Sequence, residues 1–545
     1  MLARNPILPG FNPDPSICRV GDDYYIATST FEWYPGVLIH HSRDLVNWTL
    51  VSRPLARADQ LDMRGNPDSG GVWAPCLSHA DGQFWLIYTD MKRHDGNYKD
   101  AHNYLVTCPT IDGEWTPRTY MNSSGFDPSL FHDDDGRKWF VNMVWDHRGK
   151  MEERDPPRGL FNGILLQEYD HAAGQLVGPI TRIFDGSPHG LTEAPHLFKR
   201  EGIYYLVTAE GGTGYEHAVT HARSKSLLGP YELHPDWHPL TARKSPEAFV
   251  QRVGHGQSVE TADGRTFHTF LMGRPLREIQ RCPMGRETGL REMEWRDDGW
   301  MVVKGDRADL HRIFADDADA PEVQQSEEVR DYAFEETTLS IDFQWPRSPA
   351  HERLFSASAL ERGLRLFGRE SIGSWFEQSL VARRQTAWHY SAEVSLDFAP
   401  EGYQQLAGMA TYYNRFKFHY LALTLNDHGE RVLTIQSCCG DYPEGDVVFP
   451  VGEGIVVPQG RIRLGVDTRG TVQQFRWATV SAAGEVGPWQ AIGPELDASV
   501  LSDEGGRGEH ASFTGNFVGM AANDITGRAK HADFFDFHYA NQPDG

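Results

Sequence analysis

Three acidic residues stand at matching places in the first half of the chain: Asp14 in NPDPS, Asp127 in GFDPS and Glu193 in TEAPH. The first two precede a proline directly, and the third stands two residues before Pro195. Carboxyl groups brought to one water-accessible pocket can divide the work of a hydrolysis. One gives a proton to a leaving oxygen and another attacks or activates water. A third raises the donor's pKa by like-charge repulsion, so that it stays protonated at working pH. Cleavage of a glycosidic bond has these requirements. An Asp-Pro step is also an ordinary turn opener, which suffices to explain any one of these residues. Three of them at one phase of a repeat are harder to explain so, because unpaired buried charge is rare.

The repeat itself comes from five aromatic runs, at 22–30, 82–90, 136–146, 202–211 and 264–273, each entered through a Gly or Asp turn. These have the composition of buried strands. Upstream of each lies a second short strand-like segment, at 12–19, 73–80, 126–133, 193–200 and 255–262, and further strand-like runs follow downstream. Four strands per unit, five units and no sustained helical periodicity predict a five-bladed β-propeller. A solenoid of the same unit is the alternative. The first strand of each unit should line the axis, and there the three carboxylates would converge.

At the same phase the second unit has Trp73 and Ala74, and the fifth has His255. His255 can hydrogen-bond in the pocket or ligate a metal, though a lone histidine is more often structural. Arg286, in CPMGRETG, can pair with the carboxylates and bond a sugar hydroxyl. A surface ion pair accounts for it equally well. Phe31, Trp73 and Trp145 flank inner-strand segments and can stack on a sugar face, with core packing as the alternative for each.

Acidic, proline-bearing sequence at 314–330 reads as a linker. It separates a propeller at 1–313 from a second domain at 331–545. There LSIDFQW, AEVSLDFAP, GMATYYN, YLALTLND and FVGMAAND alternate like strands of a β-sandwich. A chain of 545 residues is too long for a single core. The formal charge of -24 disfavours nucleic acid and anionic membranes as partners, while a neutral substrate needs no steering. No segment approaches the roughly 20 apolar residues of a membrane helix. The start lacks the apolar core of a secretory signal, and the scattered cysteines (Cys18, Cys76, Cys108, Cys282, Cys438, Cys439) contain no zinc-type pair. Free thiols in the cytoplasm are the expectation.

The segment NPILPGFNPDPSICRVGDDYYIATSTFEWYPGVLIHHSRDLVNW resembles glycoside hydrolase family 43, in its two-domain β-xylosidase and α-L-arabinofuranosidase branch. GNPDSGGVWAP, GFDPSLFHDDDG, TEAPHLF, EGGTGYEHA, CPMGRETG and SFTGNFVG extend the likeness over nearly the whole chain. The resemblance implies an all-β protein, a five-bladed propeller followed by a jelly-roll, concanavalin-like sandwich. It implies Asp14 as general base, Glu193 as general acid and Asp127 as the residue that tunes and orients the acid. It also places Arg286 and His255 in the sugar pocket, Phe31, Trp73 and Trp145 on its walls, and Phe513 of the second domain at its rim.

The implied activity is that of an inverting, exo-acting β-1,4-xylosidase. It would release xylose from the non-reducing end of xylooligosaccharides, with side α-L-arabinofuranosidase activity. A primary arabinofuranosidase, a retaining glycosidase and a non-catalytic sugar-binding propeller are the alternatives. No cofactor is required, and a cation such as calcium has its candidate place near His255. The expected partner is a small oligosaccharide, and the expected state a homo-oligomer, dimer or tetramer. Two departures stand out: Cys76 where many relatives carry Asp, and a short segment before Arg286. The first should tune the site without abolishing it, and the second bears on leaving-group preference.

Overall fold

The computed structural model describes residues 3–150, 159–324, 328–440, 442–506 and 512–542. They fall into two compact units. The first comprises residues 1–61, 70–274 and 286–324, and the second 62–69, 275–285 and 325–545. The segment expected as a linker is packed on the first unit as far as Gln324: Ile313 and Phe314 are core residues, with Ala320 and Val323 against them. Residues 325–327 lie outside the described residues.

The first unit is a β-propeller. Five antiparallel sheets follow one another along the chain, each built on a path of four strands. Their first strands are Ser16–Val20, Gly71–Ala80, Ser129–His132, Glu193–Arg200 and, in the fifth sheet, Gln251–Gly254 with Ser258–Glu260. The aromatic runs form the second strands: Asp23–Thr28, Gln83–Arg93, Lys138–Trp145, Ile203–Glu210 and Thr266–Gly273. Tight hairpins join the two. At Asp81-Gly82 and Glu201-Gly202 both turn residues have positive φ (53° and 74°, 52° and 78°), the backbone that matches strand twist in a two-residue hairpin.

First strands of successive sheets touch in order from Ser16–Val20 to Glu193–Arg200, and Ser258–Glu260 touches Ser16–Val20. The chain start is stitched to the last sheet. Leu8 bridges Thr288, and the buried Asn5 amide donates to the carbonyls of Leu290 (2.9 Å) and Leu310 (2.8 Å). Ile7, Leu8, Ile17, Ile26, Phe267 and Leu290 fill the seam.

The second unit contains a six-stranded sheet and an eight-stranded sheet. In the first, Gln405–Asn414 is paired on one side with Phe517–Asp524 and on the other with Lys417–Leu425. In the second, His389–Asp397 lies between Ile462–Arg469 and His531–Asn541. Of the runs expected as strands there, LSIDFQW departs. It opens as a turn, with the Phe343 N–H donating to Ser340 O at 3.1 Å, and only Trp345–Pro346 is extended. Its alternation serves burial, because Phe343 packs edge-on against Tyr332 and Phe537.

Candidate active site

Each of the five sheets has a left-handed residue at the same place, within its inner strand or just before it. Asp14, Ala74, Asp127, Ala194 and His255 all take left-handed backbone, with φ between 39° and 54°. Such a conformation costs a residue with a side chain about 1–2 kcal/mol. Register shifts at Trp73/Cys76 and Glu193/His196 show the consequence, a bulge that re-aims the side chains around it. In the first, third and fifth sheets the left-handed residue itself carries the functional group. In the second and fourth it is alanine, and the group stands one residue earlier, at Trp73 and Glu193.

Asp14 is 5% exposed. Its Oδ2 accepts the Ser29 hydroxyl at 2.6 Å, and Ser29 Oγ in turn accepts the Ala74 N–H at 2.8 Å. That second bond commits the Ser29 proton to Asp14. Oδ1 faces His255 Nδ1 at 3.6 Å and Arg286 Nη1 at 3.8 Å. Burial lowers the His255 pKa, the Asp14 charge opposes that, and Arg286 reinforces it. Arg286 is itself 2% exposed, its carbonyl accepts the Asn12 N–H at 3.0 Å, and its guanidinium lies 5.2 Å from the centre of the Phe31 ring.

Asp127 and Glu193 form the other half of the cluster. Asp127 Oδ2 accepts the Ala194 N–H at 3.0 Å. Burial holds the Asp127 carboxyl well above the usual range, and the charges of Glu193 and Asp14 add to the effect. Burial also pushes the Glu193 carboxyl up to about 8, with Asp14 adding and Arg286 and Lys99 opposing. An acid so placed keeps its proton at neutral pH and can donate it.

A line of rings borders the carboxylates. Phe31 and Trp73 are 5.9 Å apart, Trp73 and Phe126 5.4 Å, Phe126 and Trp145 6.1 Å. Phe31 is fixed by exchanged backbone bonds with Val72 (3.0 Å each), and Trp145 by its indole N–H on Asn97 O at 2.7 Å. Lys99 Nζ sits 4.5 Å over the Trp145 ring and 5.6 Å from that of Trp73, and it donates to His94 O at 2.9 Å. Burial brings its pKa down to about 8, against the pull of Glu193. Cys76, at the bulge of the second sheet, is a buried thiol 3.8 Å from His196 Nδ1, and burial pushes it up to about 12.

The structure therefore brings together eight of the residues singled out in the sequence: Asp14, Phe31, Trp73, Asp127, Trp145, Glu193, His255 and Arg286. Phe513 belongs to the second unit, where it is half-buried and its N–H donates to Ser69 Oγ at 2.9 Å. Among the described residues no group of three or more His, Cys, Asp or Glu is placed to hold a metal ion. Beside His255 the Arg286 guanidinium already supplies the positive charge that faces Asp14. Sequence reasoning missed Ser29 and Lys99. Ser29 lies in the expected second strand, where the repeat marks only apolar positions, and Lys99 lies in a loop with no repeat phase.

Comparison with known proteins accords with this arrangement. The profile of Glycosyl hydrolases family 43 matches residues 3–301, and that of the beta xylosidase C-terminal concanavalin A-like domain matches 331–540. The chain is 54% identical over 538 residues to xylosidase/arabinosidase 43B of Humicola insolens, covering 98% of this chain and 97% of that one. It is 45% identical over 551 residues to a beta-xylosidase of Bacillus subtilis, covering 99% of each. The crystal structure of a xylan beta-1,4-xylosidase from Bacillus halodurans superimposes with a TM-score of 0.91 at 45% identity, covering 99% of this chain and all of the other. The chain belongs to glycoside hydrolase family 43.

Proposed function

We propose that this glycoside hydrolase is an inverting, exo-acting β-1,4-xylosidase that removes xylose from the non-reducing end of xylooligosaccharides and has a weaker α-L-arabinofuranosidase activity. The observation that carries the reading is the set of three buried carboxyl groups at or beside the left-handed residue of three sheets, one of them pushed up to about 8. In this reaction Asp14 is the general base. Ser29 holds one of its oxygens, which leaves the other to take a proton from the attacking water. Glu193 is the general acid and protonates the leaving oxygen. Asp127 orients the acid through the Ala194 N–H, and the charge of Asp14 opposes ionisation of Glu193. Arg286 and His255 bind hydroxyls, and Phe31, Trp73 and Trp145 form walls against the sugar's C–H faces. The names of the relatives support a pentoside substrate, and the paired name of the Humicola insolens relative supports a mixed activity.

Initial rates on 4-nitrophenyl β-D-xyloside and 4-nitrophenyl α-L-arabinofuranoside, with product analysis on xylotriose, test this. A faster xyloside rate is expected, with xylotriose labelled at its reducing end giving unlabelled xylose and labelled xylobiose. A clear preference for the arabinofuranoside would make that the main activity. Binding of xylose without turnover of either glycoside would leave a sugar-binding protein.

A further inference from the structure

Glu210 ends the strand Ile203–Glu210, is fully buried and has no part in the chemistry assigned above. Its carboxylate accepts from four neutral donors. The Ser187 N–H (2.7 Å) and the Thr192 hydroxyl (2.8 Å) reach Oε1. The Thr220 hydroxyl reaches Oε2 at 3.0 Å, and the Ser187 hydroxyl donates to the same oxygen. Hydrogen bonds to an ionised acceptor are the strong kind. Three of these four hold the turn that leads into Glu193, and one of them grips Thr192, the residue before it.

The packing around this clamp has no spare volume. Gly186 has φ +92°, and a Cβ there would stand 2.1 Å from Thr192 Oγ1. Gly211, next to Glu210, has φ +80°, and a Cβ there would stand 2.2 Å from Glu216 O and 2.3 Å from His189 Nε2. The Gly211 N–H donates to Gly190 O at 3.0 Å, closing the turn onto the strand. Across the ladder Glu193 pairs with Ala209, so the clamp lies one residue away on both strands. On the other side of Glu193, Ala194 is fastened to Asp127. The peptide that carries the acid is thus tied down immediately before and immediately after it.

We propose that Glu210 is a positioning residue for the reaction: through Thr192 it fixes the backbone from which Glu193 reaches the leaving oxygen. The inference rests on the reading of Glu193 as the general acid. A misplaced acid matters most for a poor leaving group, because a good one departs with little protonation. Thr192→Val removes the hydroxyl at nearly constant volume, and Glu210→Gln removes the charge. Both should lower kcat on xylobiose by about 10- to 100-fold, the scale of a small misplacement. On 4-nitrophenyl β-xyloside the loss should be about threefold or less, with KM little changed. Thr192→Ser, which keeps the hydroxyl, should restore most of the loss on xylobiose.

Equal losses on both substrates, or none with Thr192→Val, would overturn the proposal and leave Glu210 as a support of the fold alone. Glu193→Ala is measured on the same two substrates. If it shows the leaving-group selectivity and Thr192→Val does not, only the role of Glu210 falls. If Glu193→Ala shows none, the assignment of the acid falls and this inference with it. Should Glu210→Gln fail to fold, the Thr192→Val and Thr192→Ser pair decides.

Discussion

The Ala194 N–H donates to Asp127 Oδ2 across 3.0 Å, from one propeller sheet to the next. Ala194 can point that N–H at the carboxylate because it is left-handed, with φ 52°. The residue before it, Glu193, takes its place in the pocket from the same bulge. Asp127 therefore meets the backbone that carries Glu193, and on the proposed reading it orients the acid through that bond.

Asp14→Ala and Glu193→Ala should each lose about 10²–10⁴-fold in turnover of xylobiose while keeping the wild-type circular dichroism spectrum. The two differ on an activated aryl xyloside, where Glu193→Ala recovers part of the rate and Asp14→Ala does not. A loss below about tenfold in either variant on xylobiose would remove that residue from its role.

The pH–rate profile should fall on its basic side as the acid ionises, near the value of about 8 to which Glu193 is pushed. Lys99→Met removes a charge that favours ionisation and should move that limb to higher pH. Profiles of kcat/KM for this variant and for wild type check the sign.

Stability should pay for the raised acid above neutrality. Glu193 is raised from 4.5 to about 8, so between those values the folded protein holds a proton that the unfolded chain has released. Stability is full below the lower value and falls as pH rises through the window, by an amount on the order of a few kcal/mol. Glu193→Gln should therefore melt higher than wild type at about pH 9 and show no such gain at about pH 4. Calorimetry at the two pH values reads the difference directly.

A group of histidines sets the acid limit. Burial pushes His196, His217 and His268 down to about 3 and holds His221 well below its ordinary value. His221 faces the rings of His268 at 6.0 Å and His234 at 6.4 Å. The unfolded chain protonates these groups near the ordinary value of 6.5, the folded one only well below it, so stability is lost as pH falls through that interval. Unfolding by urea should show a midpoint that drops steeply below about pH 6, and His221→Gln should flatten the drop.

The stereochemical outcome is open to a direct measurement. Proton NMR of the first-formed sugar from a β-xyloside should show α-xylose before mutarotation. First-formed β-xylose would mean retention, with a carboxylate acting as nucleophile.

The sequence by itself determined the repeat, the inner strands and the phase of the three carboxylates. Those signals are local: a proline, a turn glycine and an aromatic strand recur within a few residues of one another, and burial inside a sheet demands them. It determined less of the second unit, where LSIDFQW alternates like a strand because Phe343 and Trp345 are buried, while ladder bonds are confined to its end, where Gln344 exchanges them with Ala382. Tertiary structure alone decided which groups complete the site. Ser29 meets Asp14, and Lys99 meets the Trp145 ring, only once the hairpins are closed and the sheets set side by side. It also decided that 62–69 and 275–285 belong with the second unit, since a grouping made by packing leaves no mark on the order of residues along the chain. The raised Glu193 follows from the same cause, because burial and the neighbouring charge of Asp14 come from segments far apart in sequence.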